Sequence, residues 1–265
     1  MSPSPDAAGR RILALGGGGF TCGARDAALD DLVLELSPRR EPRILFLPTA
    51  SGDPDEQVVR FHAAFDDRPC RPEVLRLFRR ADDPIPLAER LFAQDVIYVG
   101  GGSMRNLLAI WRAHSLDELL AACWRRGIAL AGLSAGAMCW FAGGITRSGG
   151  KPEPISGLGL LEGSLSVHLT SEPERAPAFR DAVRRGDLPA GWALDDGAGL
   201  LFEDGRLTRA VRARPEARAV RVEPDAEHEL DCELLTAPSP RAPRPLPDDV
   251  RELRALRYSS TRRTA

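Results

Sequence analysis

The stretch Ile128-Ala129-Leu130-Ala131-Gly132-Leu133-Ser134-Ala135-Gly136 joins an apolar run to a G-x-S-x-G motif. The apolar run predicts a buried strand, and the small residues after it predict an abrupt turn into a helix. Such a turn strains its central residue, leaves room only for small neighbours, and lifts the hydroxyl clear of the sheet. The first N–H groups of the helix then point at the space above that hydroxyl. Ser134 is therefore the leading candidate for a nucleophile.

Strand-like and helix-like patterns alternate through the first two-thirds of the chain. Short apolar runs predict strands at residues 11–15, 43–47, 73–77, 95–99 and 128–133. Amphipathic stretches between them predict helices at about residues 25–36, 55–65, 87–93, 103–111 and 116–126. This alternation predicts an α/β fold in which a buried, mostly parallel sheet is flanked by helices.

From about Trp192 onward the pattern changes to closely spaced strand-like pieces. These pieces are residues 200–202, 207–211, 219–222 and 229–234, separated by Asp-Gly, Arg-Pro and Pro-Asp turns. Their spacing predicts antiparallel hairpins at one edge of the sheet. We expect a single α/β domain over residues 11–235, between a disordered N-terminus at residues 1–10 and a Pro-rich, polar segment at residues 236–265.

The composition limits the classes of function. The 265 residues suit one large domain, and 36 basic residues balance 38 acidic ones, so no net field favours nucleic acid or an anionic membrane. Five cysteines lack the spacing of a zinc site or a disulfide framework. The first ten residues contain no apolar signal-peptide segment, and no later run approaches the length of a membrane span. We therefore expect a cytoplasmic protein that uses no metal and binds neither nucleic acid nor membrane.

A serine nucleophile needs a base to take its proton, and the chain offers four histidines. His62 and His114 fall within or at the end of helical patterns, and His228 lies in an acidic turn. His168 follows the apolar piece Leu165-Ser166-Val167 and precedes a polar segment, which is typical of a strand end that opens into a loop. Proteins of the α/β class place functional groups at such strand ends. His168 is therefore the candidate base.

The candidate acid lies in Ala193-Leu194-Asp195-Asp196-Gly197, where a strand pattern ends in a turn. An imidazole needs such an acid to fix its tautomer and stabilise its charged form. Because side chains alternate along a strand, only one aspartate can face His168; Asp196 is the first choice and Asp195 the alternative. The order serine, histidine, acid differs from that of the α/β-hydrolases, and no H-G-G-G signature precedes the serine.

The run Val99-Gly100-Gly101-Gly102-Ser103-Met104 predicts a second loop beside the serine. Glycines allow the backbone to approach a substrate carbonyl without a side chain in the way. The N–H of Gly101 or Gly102, together with the N–H of Ala135, is therefore the candidate oxyanion hole.

Two further features border the predicted cleft. Arg105 and Asn106, one turn into the helix after these glycines, are candidates for contact with the amino or carboxylate end of a substrate. The run Gly16-Gly17-Gly18-Gly19-Phe20 fits neither G-x-G-x-x-G nor G-x-x-x-x-G-K-[ST], so it does not indicate a nucleotide site. It predicts a tight turn between a strand and a helix beside the cleft.

In combination, these segments resemble the peptidase E family of serine peptidases, which comprises the aspartyl dipeptidases and their cyanophycinase relatives. The resembling segments are residues 15–20, 46–53, 98–108, 132–140, 157–179 and 193–202. The resemblance implies a fold akin to the class I glutamine amidotransferases, with a mostly parallel sheet flanked by helices. It also implies a triad of Ser134, His168 and an acid, with Asp196 aligned to the Glu or Asp of the family.

The loop after His168 departs from the family pattern. An aromatic residue and an acid commonly follow the histidine in the family, whereas Leu169 and Thr170 stand here. A preference for an N-terminal aspartate therefore does not carry over with the resemblance. Arg175, further along this loop, and Arg105 are candidates for a clamp on a substrate carboxylate, because a guanidinium matches that group.

The residues and the resemblance together predict a serine peptidase, and more narrowly a dipeptidase, that acts through Ser134, His168, Asp196 and an acyl-enzyme. This route needs no cofactor. The expected partner is a short peptide, and a homodimer is one option for the assembly. Two alternatives stay open: a cyanophycinase-like hydrolase of an Asp-Arg isopeptide polymer, and a catalytically silent, amidotransferase-like binding domain.

Overall fold

Five neighbouring parallel strands, which run inward from one edge, form most of the larger of two sheets in the computed structural model, which describes residues 9–82 and 84–236. In spatial order they are β3 (Arg71–Val74), β2 (Arg43–Leu47), β4 (Val96–Val99), β5 (Ala129–Leu133) and β1 (Arg11–Leu15). All of these strands except β3 are buried along almost their whole length, as expected for a parallel sheet covered on both faces. The arrangement confirms the predicted α/β class and the mostly parallel sheet.

The same sheet ends in an antiparallel edge beyond β1. The strand β10 (Ala198–Glu203) pairs antiparallel with β1, and β11 (Arg206–Arg212) pairs antiparallel with β10. The short strand β14 (Glu233–Leu234) runs parallel to β11 at the outside. The predicted antiparallel strands at residues 200–202 and 207–211 are thereby confirmed, whereas the predicted strand at residues 219–222 lies in the other sheet and not at this edge.

A second sheet, which the sequence analysis did not predict, packs against this architecture. In spatial order its strands are β7 (Glu153–Ser156), β6 (Phe141–Thr146), β8 (Leu161–Val167), β9 (Gly191–Leu194), β12 (Ala219–Val222) and β13 (Glu227–Glu229). The strands β6, β8 and β9 are mutually parallel, and the others pair antiparallel. Glycines at positions 143 and 144 of β6 and exposed residues in β7 weaken the strand pattern, which explains why it was missed.

Helices cover both faces of the larger sheet. In chain order they are α1 (Ala27–Glu35), α2 (Asp55–Phe65), α3 (Leu87–Phe92), α4 (Met104–Ala113), α5 (Leu116–Arg125), α6 (Ala135–Met138) and α7 (Arg175–Arg185). Because side chains alternate along a strand, Leu13 and Leu15 of β1 join the core under α1 and α2, whereas Ile12 and Ala14 join the core under α4 and α5. The helix α7 packs on the second sheet through Phe179.

The third strand starts and ends earlier than predicted. It covers residues 71–74 rather than 73–77, and a 3-10 helix follows at Leu77–Asp82. Asp53 Oδ2 accepts a hydrogen bond from Phe78 N at 3.0 Å, which holds this segment away from the strand direction.

The predicted strand at residues 229–234 is two strands, β13 and β14, in different sheets. Leu230 N donates to Ala219 O at 2.8 Å in the second sheet, and Leu235 N donates to Arg212 O at 2.8 Å in the first. The chain therefore passes from one sheet to the other between these two residues.

The predicted terminal segments fall largely outside the described residues. Residues 1–8 and residues 237–265 are not part of the description. Within the two described ranges, none of the helices combines the length and the apolar character needed to cross a bilayer.

Candidate active site

Ser134 lies at an abrupt turn between β5 and α6. Its backbone has a positive φ of 53° and a ψ of −116°, and its N–H donates to Leu15 O at 3.0 Å. A Cβ atom at Gly132 would lie 1.9 Å from Gly136 O, and one at Gly136 would lie 2.4 Å from Val99 O. Only glycine fits so close to these carbonyls. The stretch therefore forms a strained strand-to-helix turn with Ser134 at its apex.

The imidazole of His168 lies against this hydroxyl. Ser134 Oγ and His168 Nε2 are 2.8 Å apart, which is hydrogen-bond distance. His168 directly follows β8 and has a positive φ of 59°, an uncommon conformation outside glycine. Glu172 N donates to His168 O at 2.9 Å, and Leu169 N donates to Leu194 O at 3.0 Å. These bonds fix the backbone that carries the imidazole.

Asp196 extends the hydrogen-bond chain from Ser134. Its Oδ1 lies 2.6 Å from His168 Nδ1, and its Oδ2 accepts from Ser171 Oγ at 2.6 Å. Burial raises the pKa of Asp196, but hydrogen bonds from His168 and Ser171 outweigh burial and leave the pKa below its usual value. An ionised carboxylate only accepts hydrogen bonds, so His168 carries a proton on Nδ1, and in the neutral imidazole the Nε2 lone pair then faces Ser134.

The neighbouring Asp195 serves the backbone instead of the imidazole. Its Oδ1 accepts from Thr170 N at 2.8 Å, and its Oδ2 accepts from Arg218 N at 3.1 Å. These bonds tie the loop after His168 to the residue that precedes β12. Of the two candidate acids, the structure therefore brings Asp196 to the histidine.

The glycine run after β1 lies directly against the Asp196 carboxylate. A Cβ atom at Gly17 would lie 2.0 Å from Asp196 Oδ1 and 3.1 Å from His168 Cε1. Gly17 O accepts a hydrogen bond from Gly197 N at 3.0 Å. The absence of a side chain at position 17 therefore makes room for the carboxylate.

Two elements that carry the candidate oxyanion-hole residues lie beside Ser134. A Cβ atom at Gly101 would lie 3.1 Å from Ser134 Cβ, and Ala135 is the first residue of α6. Gly102 follows with a φ of 142° and packs on Ala50, whose carbonyl would lie 2.3 Å from a Cβ atom there. Across residues 9–82 and 84–236, the N–H groups of Gly101, Gly102 and Ala135 donate to no backbone carbonyl in the turns and loops.

Arg105 and Asn106 lie on the exposed rim of the site, at the start of α4. Arg105 Nη2 donates to Glu153 Oε1 at 2.6 Å. Asn106 N donates to the Ser103 hydroxyl at 3.2 Å, which caps the helix and leaves the Asn106 side chain exposed. Both side chains are thus accessible from solvent near the predicted glycine loop.

Arg175 is buried and engaged within the protein. Its Nη1 donates to Ile145 O at 2.6 Å, and its Nε donates to Glu172 Oε2 at 2.7 Å. Only 7% of the residue is exposed. The expectation that Arg175 clamps a substrate carboxylate is therefore corrected, because its guanidinium holds the loop after β8 against β6.

The turn between β6 and β7, residues 147–152, contacts loops on both sides of the site. Ser148 Oγ lies 2.8 Å from Ser103 Oγ, next to the predicted glycine loop. Arg147 Nη1 lies 3.3 Å from Glu172 Oε2, in the loop that follows β8. The sequence analysis did not single out this turn, because neither flanking strand was predicted.

The sequence analysis also missed Ser171, whose hydroxyl donates to Asp196. Ser171 lies three residues after His168, within a turn closed by the bond from Glu172 N to His168 O. The sequence could have indicated this contact, because the Ser171 hydroxyl lies within one turn of His168, the candidate base. The close contact between Gly17 and the Asp196 carboxylate could not be predicted from the sequence, which shows only a run of glycines there.

The arrangement brings a hydroxyl, a base and an ionised acid together in one hydrogen-bond chain. Such a group can take the proton from Ser134 and hold the charge that then forms on His168. In the described ranges, no cluster of three or more His, Cys, Asp or Glu side chains is placed to hold a metal ion.

The sequence matches a known family over most of its length. Residues 12–210 match Peptidase family S51. The chain belongs to this family. It is therefore a serine-type peptidase, which confirms the predicted family and the predicted enzyme class.

Individual proteins similar to this chain extend the comparison. The uncharacterized peptidase YgaJ of Bacillus subtilis is 42% identical over 221 residues, which cover 83% of this chain and 95% of the relative. The crystal structure of a peptidase from an acI-B1 Actinobacterium has a TM-score of 0.65 at 20% identity, with 84% of this chain and 95% of that chain covered. A putative peptidase E protein from Listeria monocytogenes EGD-e has a TM-score of 0.56 at 17% identity, with 77% and 99% covered. At these identities the two crystal structures support the fold alone.

Proposed function

We propose that this family S51 peptidase is a dipeptidase that hydrolyses short peptides through an acyl-enzyme on Ser134. The observation that carries the proposal is the continuous hydrogen-bond chain from Ser134 Oγ through His168 to Asp196, with links of 2.8 Å and 2.6 Å. A hydroxyl, an imidazole and a carboxylate in this order are the parts that serine acyl transfer requires.

The reaction begins when Ser134 Oγ attacks the peptide carbonyl carbon. His168 Nε2 takes the hydroxyl proton, and Asp196 stabilises the imidazolium that results. His168 then donates this proton to the leaving amine as the C–N bond breaks. Water attacks the acyl-enzyme with His168 again acting as base, which frees Ser134 and the N-terminal product.

Backbone N–H groups are the proposed oxyanion hole. The N–H of Ala135 and the N–H of Gly101 or Gly102 hold the charge that develops on the carbonyl oxygen. Support comes from their position on two elements beside Ser134 and from the lack of backbone acceptors for them in the described turns and loops. Removing one donor of this kind costs about 100- to 1,000-fold in kcat.

The turn at residues 147–152 supports a short substrate. It contacts Ser103, next to the glycine loop, and Glu172, in the loop after His168, and we propose that it thereby limits the length of chain that the site holds. Arg105 is the remaining candidate for binding a substrate carboxylate. The substrate carboxylate would take the place of the Glu153 carboxylate beside the Arg105 guanidinium. Asn106, beside it on the rim, is the candidate for the amino end.

Hydrolysis of a panel of Xaa-Xaa dipeptides and longer peptides tests the proposal. The panel is compared for the unmodified protein, Ser134→Ala and the control Ser37→Ala, since Ser37 and Ser134 are similarly buried at 9% and 8% exposure. We expect dipeptide turnover by the unmodified protein and the control, and its loss in Ser134→Ala. Turnover by Ser134→Ala close to that of the unmodified protein would contradict the proposal.

The same panel separates the two alternatives. A cyanophycinase-like hydrolase would consume an added Asp-Arg isopeptide polymer, and a silent binding domain would leave every substrate intact. We expect neither result, because the turn at residues 147–152 restricts substrate length and the hydrogen-bond chain at Ser134 is continuous.

We further propose that the protein works in the cytoplasm. All five cysteines are free, and Cys22 is exposed. A reducing compartment keeps such thiols from pairing. Cell fractionation should recover the protein with cytoplasmic markers, and recovery from an extracytoplasmic fraction would contradict this location.

A further inference from the structure

A buried ion pair lies outside the groups used in the proposed reaction. Asp26, directly before α1, is fully buried, and the Arg214 side chain beyond β11 is 14% exposed. Arg214 Nε donates to Asp26 Oδ1 at 2.8 Å, and Arg214 Nη2 donates to Asp26 Oδ2 at 2.6 Å. Two parallel bonds fix the plane of the guanidinium as well as its distance.

Two glycines pack directly on this pair. A Cβ atom at Gly18 would lie 2.3 Å from Asp26 Oδ2, and one at Gly197 would lie 2.8 Å from Arg214 Cδ. Both glycines have a positive φ, 98° at position 18 and 85° at position 197. The ion pair therefore packs under both the loop after β1 and the turn before β10, at the place where these two segments contact each other.

These two segments enclose the Asp196 carboxylate. Gly17 lies against Asp196 Oδ1, and Gly197 N donates to Gly17 O at 3.0 Å. Ala213 N donates to Gly197 O at 2.8 Å, which ties the turn to the segment that carries Arg214. Movement of the ion pair would therefore be transmitted to the carboxylate through the backbone.

Arg214 also acts on Asp196 through its charge. Burial raises the pKa of Asp196, hydrogen bonds from His168 and Ser171 lower it, and the charge of Arg214 lowers it further. The hydrogen bonds to Asp26 raise the pKa of Arg214, so the guanidinium stays charged throughout the working range.

We propose that Asp26 and Arg214 are positioning residues that hold the Asp196 carboxylate in line with His168 Nδ1. The inference rests on the proposed function, in which Asp196 orients His168. Neither member of the pair touches the reacting atoms. Both act through the backbone of the two glycine-containing segments, and Arg214 acts on Asp196 through its charge as well. A displacement of about 1 Å in a catalytic group costs on the order of 100-fold in rate.

The test compares Asp26→Asn with the unmodified protein and with Val33→Ala. Val33 lies in α1, the helix that follows Asp26, and it is fully buried, so its truncation destabilises the same helix without touching the ion pair. The first readout is the downfield proton resonance of His168 Nδ1, which reports the 2.6 Å contact with Asp196 independently of turnover. The second is kcat and KM on the preferred dipeptide.

We expect Asp26→Asn to move or broaden the His168 resonance and to lower kcat by about 100-fold, with KM changed less than kcat. We expect Val33→Ala to keep both the resonance and kcat, although it lowers thermal stability. An unchanged resonance and kcat in folded Asp26→Asn would overturn the inference. Equal losses in Val33→Ala would overturn it too, because they would reflect general destabilisation.

A second variant covers the case in which Asp26→Asn does not fold. Asp26→Asn combined with Arg214→Gln removes both charges, so no unpaired charge is left in the interior. We expect this double variant to fold while the resonance and kcat stay altered; recovery of both to the unmodified values would overturn the inference.

The inference and the proposed function fail in different ways. If the unmodified protein hydrolyses no peptide, the proposed function fails, but the His168 resonance still tests the positioning. If the unmodified protein is active and the folded variants match it, only the inference fails.

Discussion

Asp196 and Asp30 lie against the same glycine run, Gly16-Gly17-Gly18-Gly19-Phe20, yet the pKa values of their carboxyl groups are shifted in opposite directions. Asp196 meets His168 and Ser171, and these hydrogen bonds outweigh burial, so its pKa lies below the usual value. At Asp30, burial dominates and raises the pKa from 3.8 to about 7, although Arg68 opposes the rise.

The number and charge of the partners account for this difference. Asp30 accepts one hydrogen bond from Phe20 N at 2.9 Å, and its nearest cation, Arg68, is 3.9 Å away. The hydroxyl of Tyr98 is buried nearby without a hydrogen-bond partner among the described residues. On the Asp196 side of the loop, both carboxylate oxygens therefore have hydrogen-bond partners. On the Asp30 side, a buried carboxyl group has one hydrogen bond and is surrounded by the apolar core.

Loss of the hydrogen-bond chain on the Asp196 side should have the largest effect. We expect Ser134→Ala and His168→Ala each to lower kcat by up to about a millionfold, and Asp196→Asn by about 10,000-fold, because these groups act as a unit. Steady-state kinetics on the preferred dipeptide measures all three. If Asp196→Asn kept an activity near that of the unmodified protein, the Asp196 carboxylate would be no more important for catalysis than that of Asp30, which would contradict the proposed difference between them.

Crowding the loop on the Asp196 side should also reduce activity strongly. In Gly17→Ala the new methyl group would lie 2.0 Å from Asp196 Oδ1, so the carboxylate or the loop must move. We expect about a 100-fold loss of kcat, with the chain still folded. Kinetics together with circular dichroism checks this, and full activity would show that the carboxylate does not depend on this fit.

The Asp30 side should control the pH dependence of stability instead. Because folding raises the pKa of Asp30 to about 7, the native state holds this proton more tightly than the unfolded state. The free energy of unfolding should therefore fall by a few kcal/mol as pH rises from about 4 to about 7.

Asp30→Asn should flatten this decline, and urea unfolding at several pH values measures it. The amide oxygen can still accept from Phe20 N, so the fold is retained. An equal decline in both proteins would contradict the pKa assigned to Asp30.

Removal of the Tyr98 hydroxyl should have the smallest effect. The group is fully buried and lacks a hydrogen-bond partner in the described ranges, so Tyr98→Phe relieves an uncompensated desolvation. We expect unchanged or increased stability, by up to about 1–2 kcal/mol, and unaltered kcat. A clear destabilisation in thermal unfolding would show that the hydroxyl has a partner.

The local part of this architecture was predictable from the sequence. Apolar runs give β1 and β2 with their observed bounds, and the G-x-S-x-G motif gives the turn at Ser134, because each signal lies within a few consecutive residues. Asp196 is the first choice from the strand-end pattern at residues 193–197, and the resemblance to the peptidase E family aligns the same residue with the family acid. Its contact with His168 spans 28 positions in sequence, which local patterns do not encode.

Features that depend on distant contacts were not predictable. The second sheet was missed because β6 carries two glycines, and the buried state of Arg175 depends on a carbonyl 30 positions away. The pair of Asp26 and Arg214 joins residues 188 positions apart. A single sequence contains no local signal for such a pair.

Labelling with a serine-directed acylating probe, followed by mass mapping, tests the central claim most directly. The unmodified protein should carry one adduct, on Ser134, and His168→Ala should lose nearly all of it because the hydroxyl then lacks its base. An unmodified protein that carries no adduct on Ser134, or a His168→Ala variant labelled at the same rate, would contradict the account.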